Sequence, residues 1–365
     1  MVLPKKMHAV LLNGHGGLDQ LEYRTDVTVP TPADDEVLIQ VTAAGVNNTD
    51  INTRIGWYSK TNEQATNTGG ATGLESINND DASWSGTQLK FPFIQGADCC
   101  GKIVAVGKNV DPSRIGERVI VRTMLRAYVN YRPYECWTFG SECNGGFAQF
   151  ATIKSDEAYK VDSDWTDEEL ASIPCSYSTA ENMLHRLGLG AETVLITGAS
   201  GGVGSAAVQL AKRRGATVIA LCSTSKAEEV LAIGADRVID RNADLIKELG
   251  KESVDVVVDL IGGPQWPSLL DVLRKGGRYA NAGAIAGPIS QIDLRTVYLN
   301  DLTLMGCTFQ ENEVFTNLIS YIEKNEIRPL VAKTYPLKDI AHAQEEFLSK
   351  KHLGKLVLTV PSVEA

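Results

Sequence analysis

Apolar residues recur along the chain in two rhythms. Up to about residue 160 they form short runs, MHAVLL, EVLIQVTAAGV, GKIVAVG, GERVIVR and FAQFATI, punctuated by Gly and Pro. Many short strands of this kind predict a mostly antiparallel, partly closed barrel. From about residue 165 the pattern changes to TVLITG, the amphipathic VGSAAVQLAKRRG, TVIALCS, KAEEVLAIG, DRVID, ADLIKELG, VDVVVDLIG, SLLDVLRKGG, RYANAG and TLMGCTF. Apolar strands alternating with helices predict an α/β fold with a doubly wound parallel sheet of about six strands. After Phe309 come helices in FTNLISYIEKN and LKDIAHAQEEFLSKK and a strand, GKLVLTV. This tail is too short to hold a core of its own, so it is expected to return to the first part. The predicted domains are residues 1–160 with 310–365, and 161–309.

Two segments break both rhythms. Residues from Ser59 to Leu89 are rich in Asn, Thr, Gly and Ser with almost no apolar period, which predicts a long surface loop. The stretch RTMLRAYVNYRPYECWTFGSECNGG carries aromatics, arginines and two cysteines.

At 365 residues, 43% hydrophobic and 22% charged, the chain has the make-up of a two-domain globular protein. Its net charge of -10 argues against nucleic acid and anionic membranes as partners. The start, MVLPKKMHAVLLNGHG, lacks a sustained apolar run and a small-residue cleavage site, so no signal peptide is expected. With no run long enough to span a bilayer, no membrane segment is expected either. Seven cysteines without a small-domain spacing pattern fit reduced thiols and a cytoplasmic location.

Between TVLITG and its helix lie Gly198, Ala199, Ser200, Gly201, Gly202, Val203 and Gly204. Glycines there let a turn close and let backbone amides approach a pyrophosphate, whose charge the helix N-terminus stabilises. Ala199 stands where the G-x-G-x-x-G pattern has its first glycine, but the strand before and the helix after supply the required context. The loop therefore predicts dinucleotide binding. Enzymes that use NAD place an acid at the end of the second strand to hold the ribose 2′-hydroxyl. Here that position reads Cys222, Ser223, Thr224, Ser225, Lys226. Ser223 and Lys226 can donate to a 2′-phosphate, and Arg241 after the third strand adds positive charge, so NADPH is expected over NADH.

Taken in order, AAGVNNTD, GADCCGKIVAVGKNV, GERV, GGFAQF, IPCSYSTAENML, LITGASGGVG, AIGADRVID and GKLVL resemble the medium-chain dehydrogenase/reductase superfamily. Within it the chain looks most like the zinc-independent quinone oxidoreductase branch. The resemblance covers nearly everything outside the two insertions. It implies a GroES-like barrel beside the dinucleotide domain and a homodimer or homotetramer formed through the cofactor-domain edge.

The same resemblance bears on metal. Zinc-dependent relatives take a catalytic zinc from three places, which here hold Asn47, the Gly96, Ala97, Asp98 segment and Cys175. Only Cys175 keeps a usual ligand type, and a catalytic site needs three good ligands and an open position. Their four-cysteine structural lobe is reduced to Cys136 and Cys143. No metal is expected, and the thiols read as ordinary packing.

Without a Lewis acid, an isolated ketone or alcohol is a hard substrate, whereas enones, enoyl thioesters and quinones spread the incoming charge onto a remote oxygen. The resemblance places Asn47 beside the nicotinamide, Thr49 at a relay hydroxyl, Tyr58 on the pocket wall, and Thr179 and Gly283 against the cofactor. Asn47, Thr49 and Tyr58 are thus the candidate catalytic residues. Asp50 and Asp98 read as local structural groups. The insertion after Tyr58, with Trp57 and Trp84 at its ends, is expected over the substrate mouth or at a subunit contact. Arg122, Arg126 and Arg132 read as solvated side chains rather than a phosphate site. The leading expectation is an NADPH-dependent reductase of quinones or conjugated carbonyls acting on a small-molecule substrate. A zinc alcohol dehydrogenase with altered ligands and a non-catalytic NADPH-binding protein remain the alternatives.

Overall fold

A computed structural model describes residues 3–363 apart from Ser76. The first part of the chain builds β1 (Lys6–Leu12), β2 (Leu21–Thr28), β3 (Glu36–Gly45), β4 (Phe93–Ile94), β5 (Cys100–Val106), β6 (Arg118–Val121), β7 (Met124–Leu125), β8 (Trp137–Thr138), β9 (Phe150–Lys154) and β10 (Ala158–Lys160). The parallel series follows as β11 (Thr193–Ile196), β12 (Thr217–Cys222), β13 (Arg237–Asp240), β14 (Val254–Asp259), β15 (Leu273–Asn281) and β16 (Thr303–Gly306), and the chain ends on β17 (Val331–Pro336) and β18 (Lys355–Thr359).

The parallel sheet runs in the order β13-β12-β11-β14-β15-β16. The order reverses at β11, so the carboxyl end of that strand opens a crevice between neighbours, where ligands of such sheets bind. Its two faces are covered by separate apolar clusters. The other large sheet runs β10-β6-β5-β3-β18-β17, with β9 also on β3. Strand β3 pairs with β5 along one edge, while β9 (Glu36 to Gln40) and β18 (Ala43 to Gly45) share the other end to end. The C-terminal strand thus lies in the first sheet, as its length requires. The hydrogen-bonded path of this sheet is open, and β17 and β18 are parallel to each other. One core joins the sheets: Trp165, Tyr177 and Phe315 pack in the same cluster as Cys100, Ile120 and Val357.

Two expectations need correction. The run SLLDVLRKGG is not one helix: the helix Trp266–Asp271 stops and β15 starts at Leu273. Gly276 at φ +72° supplies the backbone conformation of a turn inside that strand, and a helix cannot continue through it. The segment after Tyr58 is more than a bare loop. It contains a short helix, Thr66–Gly69, and is tied to the body by Arg54 and Leu18. No described helix is long and apolar enough to cross a membrane.

Candidate active site

Four segments converge at the carboxyl end of β11. Asn47 follows β3 in extended conformation and precedes the helix Asn48–Ile55. Asp50, in the first turn of that helix, accepts from the Asn47 backbone N–H at 2.8 Å and from that of Ala97 at 3.1 Å. Burial pushes the Asp50 carboxyl up to about 7, with the neighbouring Asp98 acting in the same direction.

Asp98 has no exposed surface. One oxygen accepts from the Cys175 backbone N–H at 2.7 Å, serving the start of the helix Pro174–Arg186. The other accepts from the Asn47 side-chain amide at 2.8 Å and from the Lys355 ammonium at 3.0 Å. Lys355 also donates to the Asn47 side-chain oxygen. Asp98 therefore pairs far along the chain rather than locally. The approach is possible only because residue 45 is glycine: a Cβ there would stand 2.4 Å from the Asp98 oxygen.

The Asn47 amide is saturated by this arrangement. Its oxygen faces the ammonium, and its nitrogen faces Asp98 and, at 3.4 Å, the Gly45 carbonyl. Next to it the Tyr58 hydroxyl donates to Thr49 Oγ1 at 2.9 Å. Burial raises the Tyr58 hydroxyl far above the usual phenol range. Cys175 and Thr179, one helical turn apart, are half-buried between fully buried neighbours and form the open stripe of their helix. Burial also keeps the Cys175 thiol protonated at neutral pH. Asn47, Thr49, Tyr58 and Cys175 are thus brought together in one place.

The dinucleotide loop has the expected form, with one shift. The turn conformation falls on Gly198, at φ +60°, and not on the Ala199 position. Gly204 lies so close beneath the loop that a Cβ would meet the Gly198 carbonyl at 2.1 Å. Gly201 precedes the helix Gly202–Arg213 without a side-chain cap, leaving the first-turn amides to an outside acceptor. Ser200, Gly201, Gly202 and Val203 are accessible, while Ala199 is buried. Gly283 lies across the crevice, its position for a Cβ 2.6 Å from the Leu260 carbonyl.

Around the end of β12, Ser223 bonds to Ser225 at 3.1 Å, and Lys226 donates to the carbonyls of Lys350 and His352, both at 2.7 Å. Arg241 is exposed beside them. Lys350 and His352 escaped the sequence reading because they lie in the distant C-terminal turn. Burial and the Lys226 charge bring Lys350 down to about 8, and burial together with Lys350 and Lys226 brings His352 down to about 4. The carboxylate of Asp240 also comes close, but it is held by Thr224 at 2.6 Å and by the Asn242 N–H at 2.9 Å.

The insertion reaches the same residues. Trp84 meets Tyr58 edge to face at 5.0 Å, and the Ser85 N–H bonds to Glu142, in the stretch that holds Cys136 and Cys143, at 3.0 Å. Arg122 and Arg126 are not solvated, contrary to their reading from sequence. They are 1% and 4% exposed because Arg122 pairs with Glu157 at 2.7 Å and Arg126 donates to the Gln310 carbonyl at 2.8 Å. Arg132 is exposed and pairs with Glu135. Cys136 and Cys143 are free thiols, as are the other five cysteines.

Comparison with known proteins agrees with this architecture. A family model described as the alcohol dehydrogenase GroES-like domain matches residues 33–163, and one described as zinc-binding dehydrogenase matches 202–324. A crystal structure of a putative alcohol dehydrogenase from Sinorhizobium meliloti superposes with a TM-score of 0.87 and 44% identity, covering 98% of each chain. The chain belongs to the medium-chain dehydrogenase/reductase superfamily, in its quinone-oxidoreductase-like branch. An acryloyl-coenzyme A reductase of Metallosphaera sedula is 29% identical over 97% of this chain and 100% of its own length. A quinone oxidoreductase of Lama guanicoe is also 29% identical, over 96% and 97%. Members of the superfamily are oxidoreductases of small molecules that bind a nicotinamide cofactor.

Proposed function

We propose that this protein is an NADPH-dependent reductase of quinones or conjugated carbonyl double bonds that works without a catalytic zinc. The observation that carries the reading is the buried ammonium of Lys355 between Asn47 and Asp98. The side chains standing where zinc-dependent relatives bind metal do not fit a zinc ion. Asn47 offers an amide already engaged, Asp98 is committed to an ammonium, and Cys175 alone is of a usual ligand type, short of the three a catalytic zinc needs. A divalent cation would also have to displace a like charge from a site with no solvent to screen it.

When bound, the nicotinamide supplies a hydride to the acceptor carbon. The chain's part is to orient that carbon and to steady the charge that develops on the conjugated oxygen. Tyr58 and Thr49 form the hydroxyl pair for this: Thr49 accepts from Tyr58 and keeps its own O–H free to donate a hydrogen bond to that oxygen, while solvent completes protonation. Ser200 to Gly204 would hold the pyrophosphate. Thr179 and Gly283 would hold the nicotinamide end. Ser223, Lys226 and Arg241, joined by Lys350 and His352, would hold the 2′-phosphate. Burial first, and the Lys226 charge after it, depress Lys350 and His352, and a bound anion would favour the charged form of both.

The proposed domains are residues 1–160 with 310–365 for the substrate and 161–309 for the cofactor. We place the subunit contact of a homodimer or homotetramer at the unpaired edge of β16, where Leu294, Tyr298, Leu299 and Leu304 are exposed. The seven free thiols suit a reducing, cytoplasmic setting.

The test is NADPH and NADH oxidation across a panel of quinones, enones and enoyl thioesters, with metal analysis of the same protein. Turnover of this class with NADPH preferred, surviving chelation, is expected. No oxidation with any acceptor would favour a non-catalytic binding protein, and stoichiometric zinc retained through chelation would favour an alcohol dehydrogenase. Tyr58→Phe should lower turnover roughly tenfold or more; unchanged kinetics would leave Tyr58 as pocket wall only.

A further inference from the structure

The buried lysine does more than exclude a metal. Lys355 is the first residue of β18 and only 3% exposed. Its stem runs along the start of the dinucleotide helix, where a Cβ on Gly202 would stand 2.8 Å from Lys355 Cδ. The preceding residue, Gly354, donates its N–H to the Ser200 carbonyl at 3.1 Å. Its ammonium ends on Asn47 and Asp98, and Asp98 in turn holds the first turn of the helix that carries Cys175 and Thr179. One side chain therefore connects the cofactor loop, the segment after β3, the Asp98 loop and the helix Pro174–Arg186.

The chemistry of these contacts fixes an orientation. With its oxygen toward the ammonium and its nitrogen toward the carboxylate, the Asn47 amide satisfies both neighbours. Turned over, it would set N–H against N–H and oxygen against oxygen in a dry site, where a mismatched polar group costs most. Of three ammonium protons, two are engaged by Asn47 and Asp98. The ammonium lies between segments that, by the resemblance, supply metal ligands in zinc-dependent relatives, and it ties those segments together.

We infer that Lys355 is a positioning residue for hydride transfer: its buried ammonium locks Asn47 and Asp98, and through them sets the acceptor-side wall against the dinucleotide loop. The inference rests on the reductase reading for its kinetic consequence, and on geometry alone for its structural one.

The experiment compares wild type, Lys355→Met and the double variant Lys355→Met with Asp98→Asn. The single variant leaves Asp98 buried without a counter-charge and should melt several degrees earlier. The double variant removes both charges and should recover melting temperature. Turnover should stay down roughly 10- to 100-fold in both, as for partners that orient a reacting site, while the NADPH Kd measured by fluorescence changes less than about threefold. Recovery of turnover together with stability would overturn the inference and leave Lys355 as a neutraliser of Asp98.

A second readout is independent of the reaction. With asparagine selectively labelled, the side-chain NH2 of Asn47 should give a slowly exchanging pair of resonances in wild type and a fast-exchanging pair in the double variant. Equal exchange in the two would also overturn it. If the wild type fails to oxidise NADPH with every acceptor of the panel, the reductase reading fails while this comparison still decides whether Lys355 locks Asn47.

Discussion

Replacing Arg54 with methionine should release the insertion from the body of the protein. Arg54 is wholly buried, and its guanidinium donates to Gln344 Oε1 at 2.9 Å, to the Gly16 carbonyl at 2.8 Å and to the Gly70 carbonyl at 2.5 Å. These partners belong to the C-terminal helix Ile340–Ser349, the N-terminal loop and the insertion, so one side chain joins three segments distant in sequence. Gly70 sits hard against Leu348, with a Cβ position 2.5 Å from its Cδ2, which shows how closely the insertion packs there.

Methionine fills much of the same volume but donates nothing. Two buried acceptors and one half-buried acceptor would be left without partners, at about 1 to 3 kcal/mol each. Against this stands the cost of burying the cation, visible in a guanidinium brought down to about 10 by desolvation. Relieving that cost returns roughly 3 kcal/mol. The net loss is then on the order of 3 kcal/mol. Urea unfolding followed by tryptophan fluorescence should show an early transition, because Trp57 and Trp84 lie at the ends of the insertion. Limited proteolysis should cut between residues 59 and 90 before the rest of the chain. An unfolding curve and digestion pattern matching wild type would refute the reasoning, since the three contacts would then carry no net weight.

Lys226→Ala should weaken NADPH binding roughly 10- to 100-fold and leave NADH nearly untouched, as expected for one lost charge-assisted contact; calorimetric titration with both cofactors measures it, and an unchanged ratio would remove Lys226 from the phosphate site. Asp50 carries a pH prediction. Its folded carboxyl titrates at about 7, against an ordinary value of 3.8 for an aspartate in water. Between those values the folded state keeps a proton that the unfolded state has released, so stability should fall as pH rises from about 4 to about 7, by up to about 1.4 kcal/mol per unit. Urea midpoints for wild type and Asp50→Asn across that range test it: the difference between the two should slope, and a flat difference would mean that Asp50 is ionised throughout.

The elements whose residues interact with near neighbours were legible in the sequence. Strands β11, β12 and β14 read directly from their apolar runs, because a strand covered on both faces needs no polar alternation. The loop from Gly198 to Gly204 read from its glycines, although the turn falls on Gly198 rather than on the Ala199 position where the pattern has its first glycine. Thr49 and Tyr58 were singled out separately, and the structure joins their hydroxyls across nine positions of chain. What escaped were pairings over long distances. Lys355 lies 257 positions from Asp98 and 308 from Asn47. In GKLVL nothing distinguishes it from a strand residue facing water. Arg122 reads as solvated for the same reason, and no local pattern marks Arg54: charge alone does not reveal a buried partner. The one available signal for Lys355 was subtraction. Once Asn47 and Asp98 replace a metal set, a buried carboxylate needs a cation from elsewhere.

That demand for a counter-charge links the two halves of the molecule. The cation arrives on β18, the strand that pairs with β3 and brings Gly354 onto the dinucleotide loop. The preceding C-terminal turn supplies the carbonyls of Lys350 and His352 to Lys226 at the far end of the same crevice. The last part of the chain therefore touches the cofactor crevice at both ends, and the helix before that turn takes hold of the insertion through Gln344 and Arg54. A change in the insertion can reach the crevice by this route without touching the parallel sheet. The route is made of discrete hydrogen bonds, so it predicts an order of effects: loosening Arg54 should disturb cofactor affinity less than Lys226→Ala does, because Lys226 bonds to the turn directly and Arg54 acts through one intervening helix. Cofactor titration of both variants measures that order, and an Arg54→Met affinity loss as large as that of Lys226→Ala would mean that the insertion contacts the cofactor itself.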